Sequence, residues 1–172
     1  MDNKESNMLV IQVGELIDGI SNDTKKNISI IINGNSIVDI KPTGELAIPT
    51  GLDYKLIDYS DKTILPGLID SHVHLTGIGD GRSGDQLAQL PDEVLSINMA
   101  NNAKKHLHSG VTTVRDCGAK NDTAFHLRTA AQMGIIESPR LVLSGRPLAI
   151  IGGHLSYFGE QITGTNECRA AV

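Results

Sequence analysis

Residues 64 to 75 read "ILPGLIDSHVHL", an apolar run that ends in two histidines, His72 and His74, one residue apart. On a strand, residues two apart point to the same face, so both imidazoles would share one side with Asp70 while Val73 points away. Two neutral imidazoles at that spacing can grip one divalent ion from one direction. An imidazole-first pair poor in carboxylates suits zinc best, then iron, manganese or cobalt. The polar, glycine-rich stretch that follows, "TGIGDGRSGDQLAQL", reads as a loop that leaves room for a substrate. Ligand sites of parallel sheets lie beyond the C-terminal ends of strands, which is where this pair falls. A short H-x-H pattern also arises by chance, so an unrelated open α/β protein stays as a rival reading.

The elements that must hold the pair change character near Pro66. Before it the chain reads as β: "MLVIQVGELIDG", then "ISIII" and "SIVDI" joined by "NGN", then "YKLIDYSDKTILPG". An Asn-Gly pair between apolar runs is a hairpin signal, and the series suggests a small sandwich or meander. After Gly67 the pattern is strand, helix, strand, helix, strand. "PDEVLSINMANNAKKHLHSG" opens with Pro91, Asp92 and Glu93 and closes on Gly110, and Val94, Ile97, Ala100, Ala103 and Leu107 mark its apolar stripe. "VTTVRDCG" is a short β-branched strand. "DTAFHLRTAAQMGII" is helical with Ala124, Leu127 and Ala131 on one face, and "SPRLVLSGRPL" returns to strand. Such alternation requires parallel strands with right-handed crossovers, as in an open doubly wound sheet or a (β/α)8 barrel. His106, His108 and His126 fall on these helices and are expected at the surface.

Composition narrows the function classes. The 172 residues are 40% hydrophobic, enough for a core, and with Trp absent and only three Tyr and two Phe that core is aliphatic. A net charge of −5 without a basic patch argues against nucleic-acid binding. No apolar run spans a bilayer and "MDNKESNMLV" lacks a signal pattern, so no membrane is implied and a cytoplasmic location is expected. Cys117 and Cys168 are too few for a disulfide framework or a cysteine zinc site. "GIGDGRSG" does not start a helix in the register that phosphate binding requires.

With these residues in view, "LPGLIDSHVHL" resembles the first barrel strand of the amidohydrolase superfamily, metal-dependent hydrolases built on a distorted (β/α)8 barrel. "SGVTTVRDCG" is similar to the second-strand segment. "SPRLVLSGRPLAIIGGH" is similar to a third-strand segment of the subgroup with imidazolonepropionase-like proteins and Xaa-Pro dipeptidases. The resemblance implies an α/β chain in which residues 1–64 form a partial N-terminal β-sandwich and 65–172 the first three βα units of the barrel. It also implies hydrolysis of amide, peptide or cyclic amide C–N bonds by metal-activated water. His72 and His74 would hold the more buried metal, usually zinc, in a site of one or two ions. Asp70 would either orient a histidine from behind or hydrogen-bond backbone at the strand end. His154 would contact substrate, or be a packed loop residue; subgroup members read Thr-Gly-Gly-His-Gly there, and this chain reads "IGGHL" with Ile151 and Leu155 departing. Asp116 shares a face with Val114 and Thr112. If that face lines the barrel, Asp116 lies near the metal; if not, Arg115 and Cys117 do, and a structural hydrogen-bonding role for Asp116 is favoured.

The family's bridging carboxylate, two further histidines and the aspartate that serves as general base come from later strands and have no counterpart in these 172 residues. The resemblance therefore implies an N-terminal portion, not catalytically competent by itself, acting in longer form on a small amide or dipeptide, with homo-oligomerisation open. The alternative is a non-catalytic remnant or binding module that needs a partner chain to complete its fold.

Overall fold

A computed structural model describes residues 8–47 and 53–172. The chain separates into two compact units, Met1–Pro66 and Gly67–Val172.

In the first unit, β1 (Met8–Leu16), β2 (Lys25–Asn33), β3 (Ser36–Pro42) and β4 (Lys55–Ile64) form one sheet in the order β3-β2-β1-β4. The Asn-Gly signal is realised as a hairpin. Asn33 pairs with Ser36, and Gly34, at φ +58°, takes the left-handed conformation such a tight turn needs. The layout departs from a meander, because β4 runs parallel to β1 instead of extending β3. β3 is almost entirely exposed, whereas β1 holds the buried Val10, Val13 and Leu16. Pairing on the free edge of β1 therefore places the ladder of β4 beside the core. The β1–β4 register shifts beside Gly14, where β4 carries extra residues between Tyr59 and Thr63, and a Cβ on Gly14 would collide with the Ser60 backbone. Val13 and Leu16 lie in one cluster with Ile28 and Ile30.

The second unit is built on three parallel strands, β5 (Leu68–Val73), β6 (Val111–Asp116) and β7 (Arg140–Leu143), in that order. One short turn of helix, α1 (Gly84–Ala88), lies inside the stretch that reads as loop in sequence. Leu87 anchors it, and Gly84 lets the Tyr157 ring lie where a side chain would otherwise stand. α2 (Asp92–His108) then crosses from β5 to β6, and α3 (Thr123–Gln132) from β6 to β7. Val73 and Val114 from the strands meet Met99, Ala103, Ala124 and Leu127 from the helices in one aliphatic cluster. Beyond β7, β8 (Leu148–Ile150) pairs in parallel with β9 (Glu160–Ile162), and α4 (Thr165–Ala171) follows.

α2 keeps its expected ends, with Asp92 and Glu93 in the first turn and Lys105, His106 and His108 in the last, suiting the helix dipole. Its buried face differs. Leu95, Met99, Asn102 and Ala103 are buried, while Val94 and Ile97 of the apolar stripe are exposed. The helix is rotated so that the Asn102 amide enters the interior, which a reading by hydrophobicity cannot anticipate. Among the described residues, no helix is long and apolar enough to cross a membrane.

This orientation predicts a contrast in urea unfolding. Met99→Ala, at a fully buried position, should cost about 2–5 kcal/mol, and Ile97→Ala, at a position 72% exposed, no more than about 0.5 kcal/mol. Equal losses would place the wrong face of α2 against the sheet.

Candidate metal centre

β5 delivers the histidines. Val73, its last residue, is buried against α2 and α3, while His72 is exposed and His74 lies half-buried just past the strand end. The two rings meet at the strand end but in unlike settings. The Asp70 carboxylate accepts the His72 backbone N–H at 3.1 Å, and the β5–β6 register shifts between Asp70 and Val73. At this irregular strand end the two rings stand edge to face, with centroids 5.4 Å apart and planes at 71°. Asp70 is thus engaged with backbone, bonding the main chain of His72 and not an imidazole.

His74 is held more firmly. Its Nδ1 lies 3.0 Å from the Gly118 carbonyl oxygen. A carbonyl can only accept, so Nδ1 carries the proton and donates, and in the neutral ring Nε2 then has its lone pair free for a ligand. That is the arrangement in which metal-binding imidazoles are usually found. The donor set therefore fits a divalent ion as two of its ligands. Among the described residues, no group of three or more His, Cys, Asp or Glu is placed to hold a metal.

The support for His74 comes from β6 and α2. Val114 and Asp116 are both fully buried, Val114 among the helix side chains, so the face they share lies under the helices. Arg115 and Cys117 follow the opposite alternation, and the Arg115 guanidinium donates to the Cys117 sulfur at 2.9 Å. The Asp116 carboxylate accepts two backbone N–H groups, from Leu75 at 2.8 Å and from Gly118 at 2.9 Å. Burial raises its pKa above the ordinary value, opposed by those two bonds and by the nearby His74. From α2, the Asn102 amide donates to the carbonyls of Leu75 and Gly77, and Asn98 donates to that of Thr76. Sequence reasoning passed over Asn98 and Asn102. Two amides four residues apart on a helix share a face, and a polar pair on the face turned to a sheet was the signal available.

His154 sits in the turn after β8 and is exposed. Among the described residues, no hydrogen bond or ring contact joins it to His72 or His74. Leu155, which replaces the glycine expected there, has φ +61°, a left-handed conformation that costs an ordinary residue roughly 1–2 kcal/mol. Its carbonyl accepts both Phe158 and Gly159 N–H groups, which hold the turn closed. His108 bonds Glu137 at 2.8 Å and His126 is exposed.

Residues 63–171 match the Amidohydrolase family. Among solved structures, the chain is similar to a Xaa-Pro dipeptidase with bound methionine in its active site, at 34% identity and TM-score 0.74 over 87% of this chain and 36% of that one. It is similar to an amidohydrolase at 27% identity and TM-score 0.80 over 95% and 43%, and to molinate hydrolase at 25% and 0.68 over 83% and 30%. No curated protein matches it. The chain thus spans less than half the length of each of these structures. The parallel unit β5 to β7 with its two crossover helices corresponds to the N-terminal portion of a TIM-type barrel.

The amide clamp gives a prediction of its own. Asn102→Leu keeps the bulk but leaves the Leu75 and Gly77 carbonyls without their donor, and should cost about 1–3 kcal/mol in chemical denaturation. A loss within error of zero would mean that water replaces the amide and that α2 does not hold this loop.

Proposed function

The chain belongs to the amidohydrolase family, and from that premise we propose that it supplies the paired histidine ligands of a metal-dependent hydrolase of C–N bonds. The observation that carries this reading is the commitment of His74 Nδ1 to the Gly118 carbonyl, which leaves Nε2 available beside the His72 ring. Zinc is the ion proposed, since two neutral imidazoles suit it best. Bound there, a divalent ion supplies Lewis acidity toward a carbonyl oxygen and lowers the pKa of a water.

The protein's own part in the chemistry is positional. His72 and His74 bring their rings together at the end of β5, the Asn98 and Asn102 amides fix the backbone just after them, and the sheet edge keeps the pair at the C-terminal end of the strands. We assign residues 1–64 to part of a β-sandwich and 65–172 to the first three βα units of the barrel. The substrate class is a small amide or dipeptide, by similarity to a Xaa-Pro dipeptidase, with His154 at the substrate rim and a cytoplasmic setting. Two imidazoles fall short of the three protein ligands of a catalytic zinc site, so the 172-residue chain alone binds the ion weakly and does not turn over.

Titration of the chain with zinc against a chromophoric chelator tests this. Wild type should take up about one ion per chain, and His72→Ala with His74→Ala should take up none. Uptake that survives the double substitution would move the metal elsewhere and sink the proposal, and amide turnover by the isolated chain would overturn its predicted incompetence.

A further inference from the structure

Asp116 is a carboxylate in the wrong place for a simple core residue. It is fully buried beside Val114, in the layer that also holds Met99, Ala103 and Leu127. A carboxyl group there is costly unless its oxygens are satisfied. Each oxygen has one backbone N–H partner, and the two partners belong to different segments. Leu75 follows His74 directly, and Gly118 offers the carbonyl that receives the His74 Nδ1 proton. One side chain therefore ties down both ends of the bond that orients His74.

The Gly118 end is tightly specified. Gly118 has φ +153°, and a Cβ on it would meet three carbons of the Pro147 ring at 3.2 Å. The Cys117 N–H donates to the Val73 carbonyl at 2.9 Å, and the Asp116 carbonyl accepts the Ser144 N–H at 3.0 Å. The turn 116–118 is thus pinned to β5 on one side and to the residue after β7 on the other. The Gly118 N–H that the carboxylate holds and the Gly118 carbonyl that receives His74 belong to successive peptide units joined at the Gly118 Cα, and the second unit is also tied by the Ala119 N–H, which donates to the Gly145 carbonyl at 3.2 Å.

We propose that Asp116 is the positioning residue of the metal centre: by holding the backbone N–H groups of Leu75 and Gly118 it places the Gly118 carbonyl against His74 and so fixes the tautomer and the ring orientation of that imidazole, without itself touching the metal. This rests on the reading of His72 and His74 as ligands. It goes beyond that reading by naming which residue makes His74 a preorganised ligand instead of a freely rotating imidazole. Asp116→Asn separates the two roles. The carboxamide keeps the shape but has one acceptor and one donor group facing two N–H donors, so one of the two backbone bonds must be lost. Gly118→Ala leaves the carboxylate in place and disturbs the carbonyl.

The test uses the full chain and two readouts, the protonation of each histidine ring nitrogen by long-range nitrogen–proton NMR and zinc affinity by chelator competition. In wild type His74 should be protonated at Nδ1. In Asp116→Asn that signature should be lost or averaged, and zinc affinity should fall by about tenfold or more, the usual consequence of removing a group that orients a metal-bound imidazole. Gly118→Ala should show the same pair of changes. A His74 protonated at Nε2 in wild type overturns the inference whether or not any variant folds. So does a folded Asp116→Asn or Gly118→Ala chain that keeps both the Nδ1 proton and wild-type affinity. A wild-type chain that takes up no zinc instead removes the function proposed above, while the tautomer readout still decides whether Asp116 positions His74.

Discussion

The second unit depends on a buried negative group having somewhere to put its hydrogen bonds. Asp116 lies at the end of the central strand β6 with its carboxyl in an aliphatic layer, and the chain satisfies it with two backbone N–H groups. Both donors lie past the ends of strands, where main-chain N–H groups no longer have ladder partners. The carboxylate completes the hydrogen bonding of two strand ends at once, and the loops must adopt the paths that bring those donors to it. His74 is oriented as a by-product of the same arrangement.

The second constraint acts from the helix side. A loop that turns away from a parallel sheet exposes its carbonyls to an apolar layer, and α2 answers with Asn98 and Asn102. Donors from the helix and an acceptor from the sheet thus grip residues 74–77 from two directions. The opposite face of the sheet carries Ile69, Arg115 and Val142, all exposed. The sheet therefore has one face committed to packing and one that presents charge and apolar surface together with the exposed His72.

Legibility in the sequence followed how local each signal was. The Asn-Gly hairpin, the ends of α2 and the β-branched run of β6 were readable because short-range sterics and the helix dipole decide them. The buried face of α2 was misread, because Asn102 is drawn inward by two loop carbonyls and no hydrophobic pattern records that pull. α1 and β9 were missed: one is a single turn among glycines and the other three residues long, too short for periodicity to show. The parallel pairing of β4 with β1 depends on which edge remained free, a property of the assembled sheet.

The sequence by itself determined the chemistry on offer, two imidazoles at the end of an apolar strand next to a glycine-rich stretch, and the strand–helix alternation that points to a parallel sheet. Residue types and spacing suffice for both, since they act over a few residues. Tertiary structure decided how the imidazoles are used. Strand alternation alone would have set the rings side by side as equals. The irregular end of β5, the Gly118 carbonyl and the Asp116 carboxylate, brought together from segments more than forty residues apart in the chain, fix the His74 ring and leave His72 exposed. Hydrogen bonds between distant segments exist only once the sheet has formed, so no local pattern could carry them.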